Sequence, residues 1–377
     1  MGWPYQPVET FPNYSYLDFL KKPRPYDFYW EVWALGSNRV LLWGDPAYVR
    51  RAVPTFSLSD STGFEIDVPM AQKGYGNGPG KWEIFDKDQY VSHNDRKFWN
   101  WEFERYWMFY LLWGRLSYNH TASEDVWMTE LRSRFGDAAP DVSTAYQAGS
   151  PVVSEIVAAH LADPNMYIWP EINPGGLIAD CKDVLPSDQS FIASPAEAAR
   201  NVVQNLASAK QGPRETAELF DGIGSQIEAA VSRAGSKLGG SHEWRGTEPD
   251  LLVLADLARY HARKQEAAYS LSWFYETGKL ASLDRAEAEL TKALDIWKNL
   301  VKLTDGLYSD QVIFGPDDFG SWKDKLPYVY YDLDWIRELK RTLSKYGEYD
   351  FRFEFGSNLP LPRLVPNGII NSSAGTL

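Results

Sequence analysis

Two hydrophobic periods divide this chain. Up to about residue 90, apolar positions fall in short aromatic and β-branched runs or in strict alternation, the period of strands. Residues 26–35 (YDFYWEVWAL) and 38–44 (NRVLLWG) read as strands separated at Gly36-Ser37-Asn38, a turn signal. Residues 44–53 (GDPAYVRRAV) predict a short helix entered through Asp45, with Pro46 at its first position. Residues 62–69 (TGFEIDVP) alternate, placing Phe64, Ile66 and Val68 on one face and Glu65 and Asp67 on the other. Strand, helix and strand in this order make a βα unit of a parallel sheet or barrel.

From about residue 96 the period becomes helical. Residues 95–119 predict a long aromatic helix ending near Gly114, with Trp101, Tyr106 or Met108, and Leu112 facing a core. Thr121-Ala122-Ser123-Glu124 reads as a capping box for a helix through Phe135. A helix over 141–162 is expected to kink or divide at Pro151. After the proline-rich connection 163–176, Ser194-Pro195-Ala196-Glu197 is a second capping box. Further helices are expected over 213–236, 248–277, 283–304 and 327–346, with 239–250 as a linker candidate. The predicted fold class is therefore α+β and mostly α. A partial (β/α) barrel-like part over residues 1–95 precedes a helical domain over 96–377.

Composition narrows the function classes. The net charge of -13 argues against nucleic acid, which requires basic patches. No apolar run is long enough to span a membrane, and residues 1–10 lack the regions of a signal peptide. The single cysteine, Cys181, has no partner for an internal disulfide, and no cysteine–histidine spacing suggests a metal. His93 and His120 read as surface or capping residues. No cofactor is expected. The 16 Trp and 22 Tyr are the positive signal, because such side chains fill cores but also offer sugars an apolar face with a polar tip.

The segment QKGYGNGPGKW, residues 72–82, raises a phosphate-loop reading that its details reject. Tyr75 stands where the first glycine of G-x-x-x-x-G-K-[ST] is required, Trp82 follows Lys81, and Pro79 removes a backbone donor. The dinucleotide pattern G-x-G-x-x-G fails at Pro79 as well. Following a carboxylate-bearing strand, this segment reads instead as a substrate loop, in which Tyr75, Asn77 and Trp82 offer stacking and hydrogen bonds. A plain glycine-rich connection is the alternative.

With these elements in place, WEVWALGSNRVLLWGDPAYVRR, GFEIDVPMAQKGYGN and YLLWGRLSYN resemble the rear portion of large bacterial glycoside hydrolase-like proteins, which are related more distantly to the α-glucuronidases. WGRLSYN is similar to a G-R-L-x-[WY]-[DN] element of their helical domain, and SWKDKLPYVYYDLDWI resembles a segment near their end. The resemblance implies the last strands of a (β/α)₈ barrel running into a helical C-terminal domain, and a secreted or periplasmic setting. A complete barrel takes about 250 residues, so the part read here is a fraction of one. A missing barrel domain or a second copy of the chain is expected to cover its open strand edges.

Glycoside hydrolysis needs two carboxyl groups across a sugar ring. The acids best placed on or near strands are Glu31, Asp45, Glu65 and Asp67. Glu31 is expected to be the general acid, because its aromatic surroundings favour the protonated form. Glu65 is expected to be the nucleophile or base. Asp67, about 6.5 Å further along the same face, is the reserve. Trp33 and Trp43 join Tyr75, Asn77 and Trp82 as candidate contacts to an oligosaccharide or polysaccharide of plant or algal type. Other readings stay open beside this one: ion pairing of the acids with Arg39, Arg50 or Arg51, a non-catalytic glycan-binding module, or a helical docking module.

Overall fold

The computed structural model describes residues 40–66, 96–159, 189–309 and 318–346, together with 23, 25, 27, 29–32, 68–69, 170–181, 185–186 and 312–315. Strand β1 (Tyr29–Val32) pairs in parallel with β2 (Gly63–Ile66), and helix α1 (Pro46–Thr55) lies between them in sequence. Asp45 caps α1 as expected, accepting a hydrogen bond from the Ala47 amide at 2.8 Å, with Pro46 at the first helical position. Among the described residues no third strand joins this sheet. Val68, expected on the packed face of β2, is 40% exposed.

Residues 40–44 are not a strand. Their amides are met by side chains of the helical part rather than by a neighbouring strand. The Val40 and Leu41 amides donate to Glu171 Oε1 (2.9 and 2.7 Å), Leu42 to Asp250 Oδ2 (3.1 Å) and Gly44 to Ser150 Oγ (2.7 Å). Backbone donors this deeply buried must be paired, and here carboxylates do what a ladder would otherwise do.

The aromatic helix begins later and ends later than its pattern implies. Residues Glu102–Tyr106 form a 3₁₀ turn, and α2 runs Trp107–Tyr118 straight through Gly114. Tyr106, Met108 and Leu112 are in the core, but Trp101 lies before the turn and is 46% exposed. Helix α3 (Asp125–Phe135) follows without the expected capping box, and Ser123 Oγ accepts only from the Asp125 amide. Helices α4 (Ala139–Gly149) and α5 (Pro151–Ala158) are divided where Pro151 stands. Helix α6 (Pro195–Val203) is capped by Ser194, which accepts from the Glu197 amide.

Three long helices complete the centre: α7 (Pro213–Leu238), α8 (His242–Thr277) and α9 (Ala281–Thr304). The linker expected at 239–250 is instead a short turn and the start of α8, because Ser241 caps the helix and Pro249 is accommodated inside it. Helix α8 is the spine: α7 and α9 both pack along it, and 23 of its 36 residues are buried. A short antiparallel pair, β3 (Val312–Gly315) and β4 (Asp318–Gly320), leads to α10 (Trp322–Leu343). That helix starts five residues before Pro327, because Ser321 and Asp324 form a capping box. Among the described residues no helix is long and apolar enough to cross a membrane.

Candidate functional site

The parallel register pairs Tyr29 with Gly63, Trp30 with Phe64, Glu31 with Glu65 and Val32 with Ile66. The two acids expected to act together therefore stand at one height on adjacent strands, whose spacing is about 4.8 Å. Alternation divides the work of β2. Phe64 stacks on Phe56 (centroids 4.2 Å, planes 19° apart) and lies 6.1 Å from the Trp113 ring, so this face of the strand is fastened to α1 and α2. Glu65, on the opposite face, is exposed and has no hydrogen bond or ion pair among the described residues.

Of the other candidates, Asp67, Trp33, Tyr75, Asn77 and Trp82 lie outside the described residues, as does His93. Asp45 is committed to its helix cap, and burial raises its carboxyl above the ordinary range against the Tyr48 and Ala47 amides. Arg50 donates to the Ala122 carbonyl and sits over the Trp127 ring at 4.9 Å. Trp43 is 2% exposed, stacked on Trp113 at 6.2 Å and edge-on to Phe109 and Tyr48. Its ring belongs to the core, where it anchors residues 40–44 and leaves no face for a ligand.

What positions the β1–α1–β2 unit was not visible in the sequence. Glu171 and Asp250 are both fully buried. Asp250 accepts from Arg105 Nη2 at 2.5 Å and from the Tyr308 hydroxyl, in addition to the Leu42 amide. Tyr106 donates its hydroxyl to the Val40 carbonyl at 2.7 Å. Behind this layer Lys264 pairs with Asp332 at 2.9 Å and donates to the Pro174 carbonyl at 2.6 Å, fixing the turn that carries Glu171. An acid directly before the apolar run 251–255 was the available signal for Asp250. Glu171 had none beyond its place in an irregular, aromatic segment. Among the described residues no group of three or more His, Cys, Asp and Glu could hold a metal ion.

No known family's sequence profile matches the chain, and no curated protein matches it. Among solved structures it is similar to one described as a GH138 enzyme targeting pectin rhamnogalacturonan II. The TM-score is 0.68 at 15% identity, over 83% of this chain. This likeness shows a shared fold. The chain spans 47% of the length of that enzyme. The match agrees with the glycoside hydrolase-like part of the resemblance read from the sequence, and does not bear on the α-glucuronidases.

Proposed function

We propose that this chain is a carbohydrate-active protein of glycoside hydrolase-like fold, acting on a plant or algal type polysaccharide through Glu31 and Glu65. One observation carries the reading: the register that sets these two acids opposite each other on adjacent parallel strands. The fold shared with an enzyme described as targeting pectin rhamnogalacturonan II supports the substrate class. In this reading β1, α1 and β2 are a fragment of a (β/α) barrel within residues 1–95, and residues 96–377 are the helical domain that braces it.

The chemistry follows from the spacing. Adjacent parallel strands lie about 4.8 Å apart, a backbone spacing closer to the 5–5.5 Å that retaining hydrolysis needs between its carboxyl groups than to the 6.5–9.5 Å of inversion. Glu65 would attack the anomeric carbon while Glu31 delivers its proton to the departing glycosidic oxygen. Glu31, now ionised, would then take a proton from water as that water displaces Glu65. Asp67 is the reserve for either role. Trp33, Tyr75, Asn77 and Trp82 would hold the sugar beside them, the last three from the loop of residues 72–82.

The test is release of reducing ends from rhamnogalacturonan II oligosaccharides by the full chain. Turnover that is lost in Glu65→Gln supports the reading. Binding on a glycan array without turnover would favour a non-catalytic glycan-binding module. Neither binding nor turnover would remove carbohydrate as the ligand.

A further inference from the structure

Away from the acid pair, the outer side of α8 carries a half-buried stripe of Arg263, Glu266, Tyr269 and Trp273, spaced three to four residues apart. Helices α7 and α9 wall this stripe. Arg263 pairs with Asp221 of α7 and, at 3.0 Å, with Glu289 of α9, which fixes one end of the strip. At the other end the Tyr269 and Trp273 rings lie 6.2 Å apart with planes tilted by 53°. The guanidinium of Arg214, from α7, is held 5.2 Å from the Tyr269 ring centroid.

The charges here are not spent on one another. Arg263 is committed at both ends, but neither Arg214 nor Arg285 of α9 makes an ion pair among the described residues, and both are exposed. Glu266 is half-buried between α7 and α9 and has no hydrogen bond or ion pair among the described residues. Burial holds its carboxyl above the ordinary range, and Arg214, Arg263 and Arg285 all act on it through space. Leaving a carboxylate partly desolvated and unbonded costs free energy that any of these arginines could relieve by moving closer.

We propose that this strip is a second sugar-binding site, and that its ligand is a carboxylated sugar unit of an oligosaccharide. Tyr269 and Trp273 supply the apolar platform for the ring, and Arg214 and Arg285 the planar donors that suit a carboxylate. Glu266 is the acceptor for the sugar hydroxyls. Arg214 and Arg285 are the arginines of the strip without an ion pair among the described residues, and a carboxylate is the anion their planar forks match. A phosphate group, carrying more charge and no hydroxyl donors for Glu266, fits less well. The site stands apart from Glu31 and Glu65 and does not depend on their chemistry.

The experiment titrates trigalacturonate into the full chain and follows tryptophan fluorescence, with galactotriose as the neutral control. The expected result is saturable binding of trigalacturonate that weakens with salt, and at least tenfold weaker binding by galactotriose. The double variant Arg214→Ala, Arg285→Ala changes only exposed side chains and should lose at least tenfold in affinity with an unchanged thermal transition. Reducing-end release by this double variant should match that of the wild type, which separates this site from the proposed catalytic one. No saturation by trigalacturonate, equal affinity for galactotriose, or full affinity in the double variant would each overturn the proposal.

Discussion

Glu31 lies opposite Glu65 across the parallel pair of β1 and β2. One residue earlier, Phe64 stacks on Phe56 and ties the same strand to the helices. Strand β2 thus presents an apolar face to the fold and an acid to the other side. Its position depends on residues far away in sequence, since Glu171 and Asp250 hold the segment that leads into α1.

Removing Asp250 should be among the costliest single changes. Asp250→Ala removes the carboxylate that pairs with the guanidinium of Arg105, itself 0% exposed, and that accepts from the Leu42 amide. Breaking one partner of such a pair costs about 3–5 kcal/mol. Chemical denaturation should show a loss of that size, and Tyr308→Phe a smaller one of about 1.5–3 kcal/mol for its hydrogen bond to the charged group.

Gly44 is required for close approach. A Cβ there would lie 2.5 Å from Met108 Cγ and 2.9 Å from Tyr146 Cδ1, inside the packed core. Gly44→Ala should destabilise by about 1–3 kcal/mol, the cost of overpacking. Adding Met108→Ala should recover part of that loss relative to Met108→Ala alone, as a double-mutant cycle would measure.

His261 makes stability fall in acid. Burial, helped by the charge of Lys264, lowers its pKa from 6.5 to about 3, so it stays neutral in the folded state. Between those values the unfolded chain binds the proton that the folded chain refuses. Stability is complete above about pH 6.5 and declines as pH falls toward 3. Urea midpoints measured across this range should drop, and His261→Phe should flatten that slope.

Asp256 acts in the opposite direction. Burial first, and then the charge of Glu228, raises its pKa from 3.8 to about 7 against the pull of Arg259. The folded state holds the proton that the unfolded chain has released, so stability declines as pH rises from about 4 to 7. Asp256→Asn should raise the thermal midpoint at pH 8 and leave it nearly unchanged at pH 4.

Local chemistry was legible at several helix starts, whereas the Ser241 cap and the Ser321–Asp324 box were missed. Asp45-Pro46 started α1, Ser194-Pro195 started α6, and Pro151 divided α4 from α5 as their side-chain and ring constraints require. Residues 40–44 were misread because an extended, apolar segment has the same pattern whether its amides meet a strand or carboxylates 130 and 208 residues away. Gly114 suggested an ending that packing overrode, and Gly239-Gly240 suggested a linker that the Ser241 cap closed into a turn. The aromatic signal had the same ambiguity: composition alone does not distinguish Trp43 stacked on Trp113 from Trp43 stacked on a sugar. Glu31 and Glu65 were readable as acids on strands, but the register that joins them is a tertiary property.

The most direct test of the central claim compares wild type, Glu31→Gln and Glu65→Gln for reducing-end release from rhamnogalacturonan II oligosaccharides, with thermal unfolding measured on the same samples. Glutamine keeps shape and hydrogen bonding while removing the acid and the nucleophile. The account predicts turnover by the wild type and a loss of at least a hundredfold in each variant, with thermal midpoints unchanged. Full turnover in either variant, or unfolding of both, would contradict the assignment of this pair to catalysis.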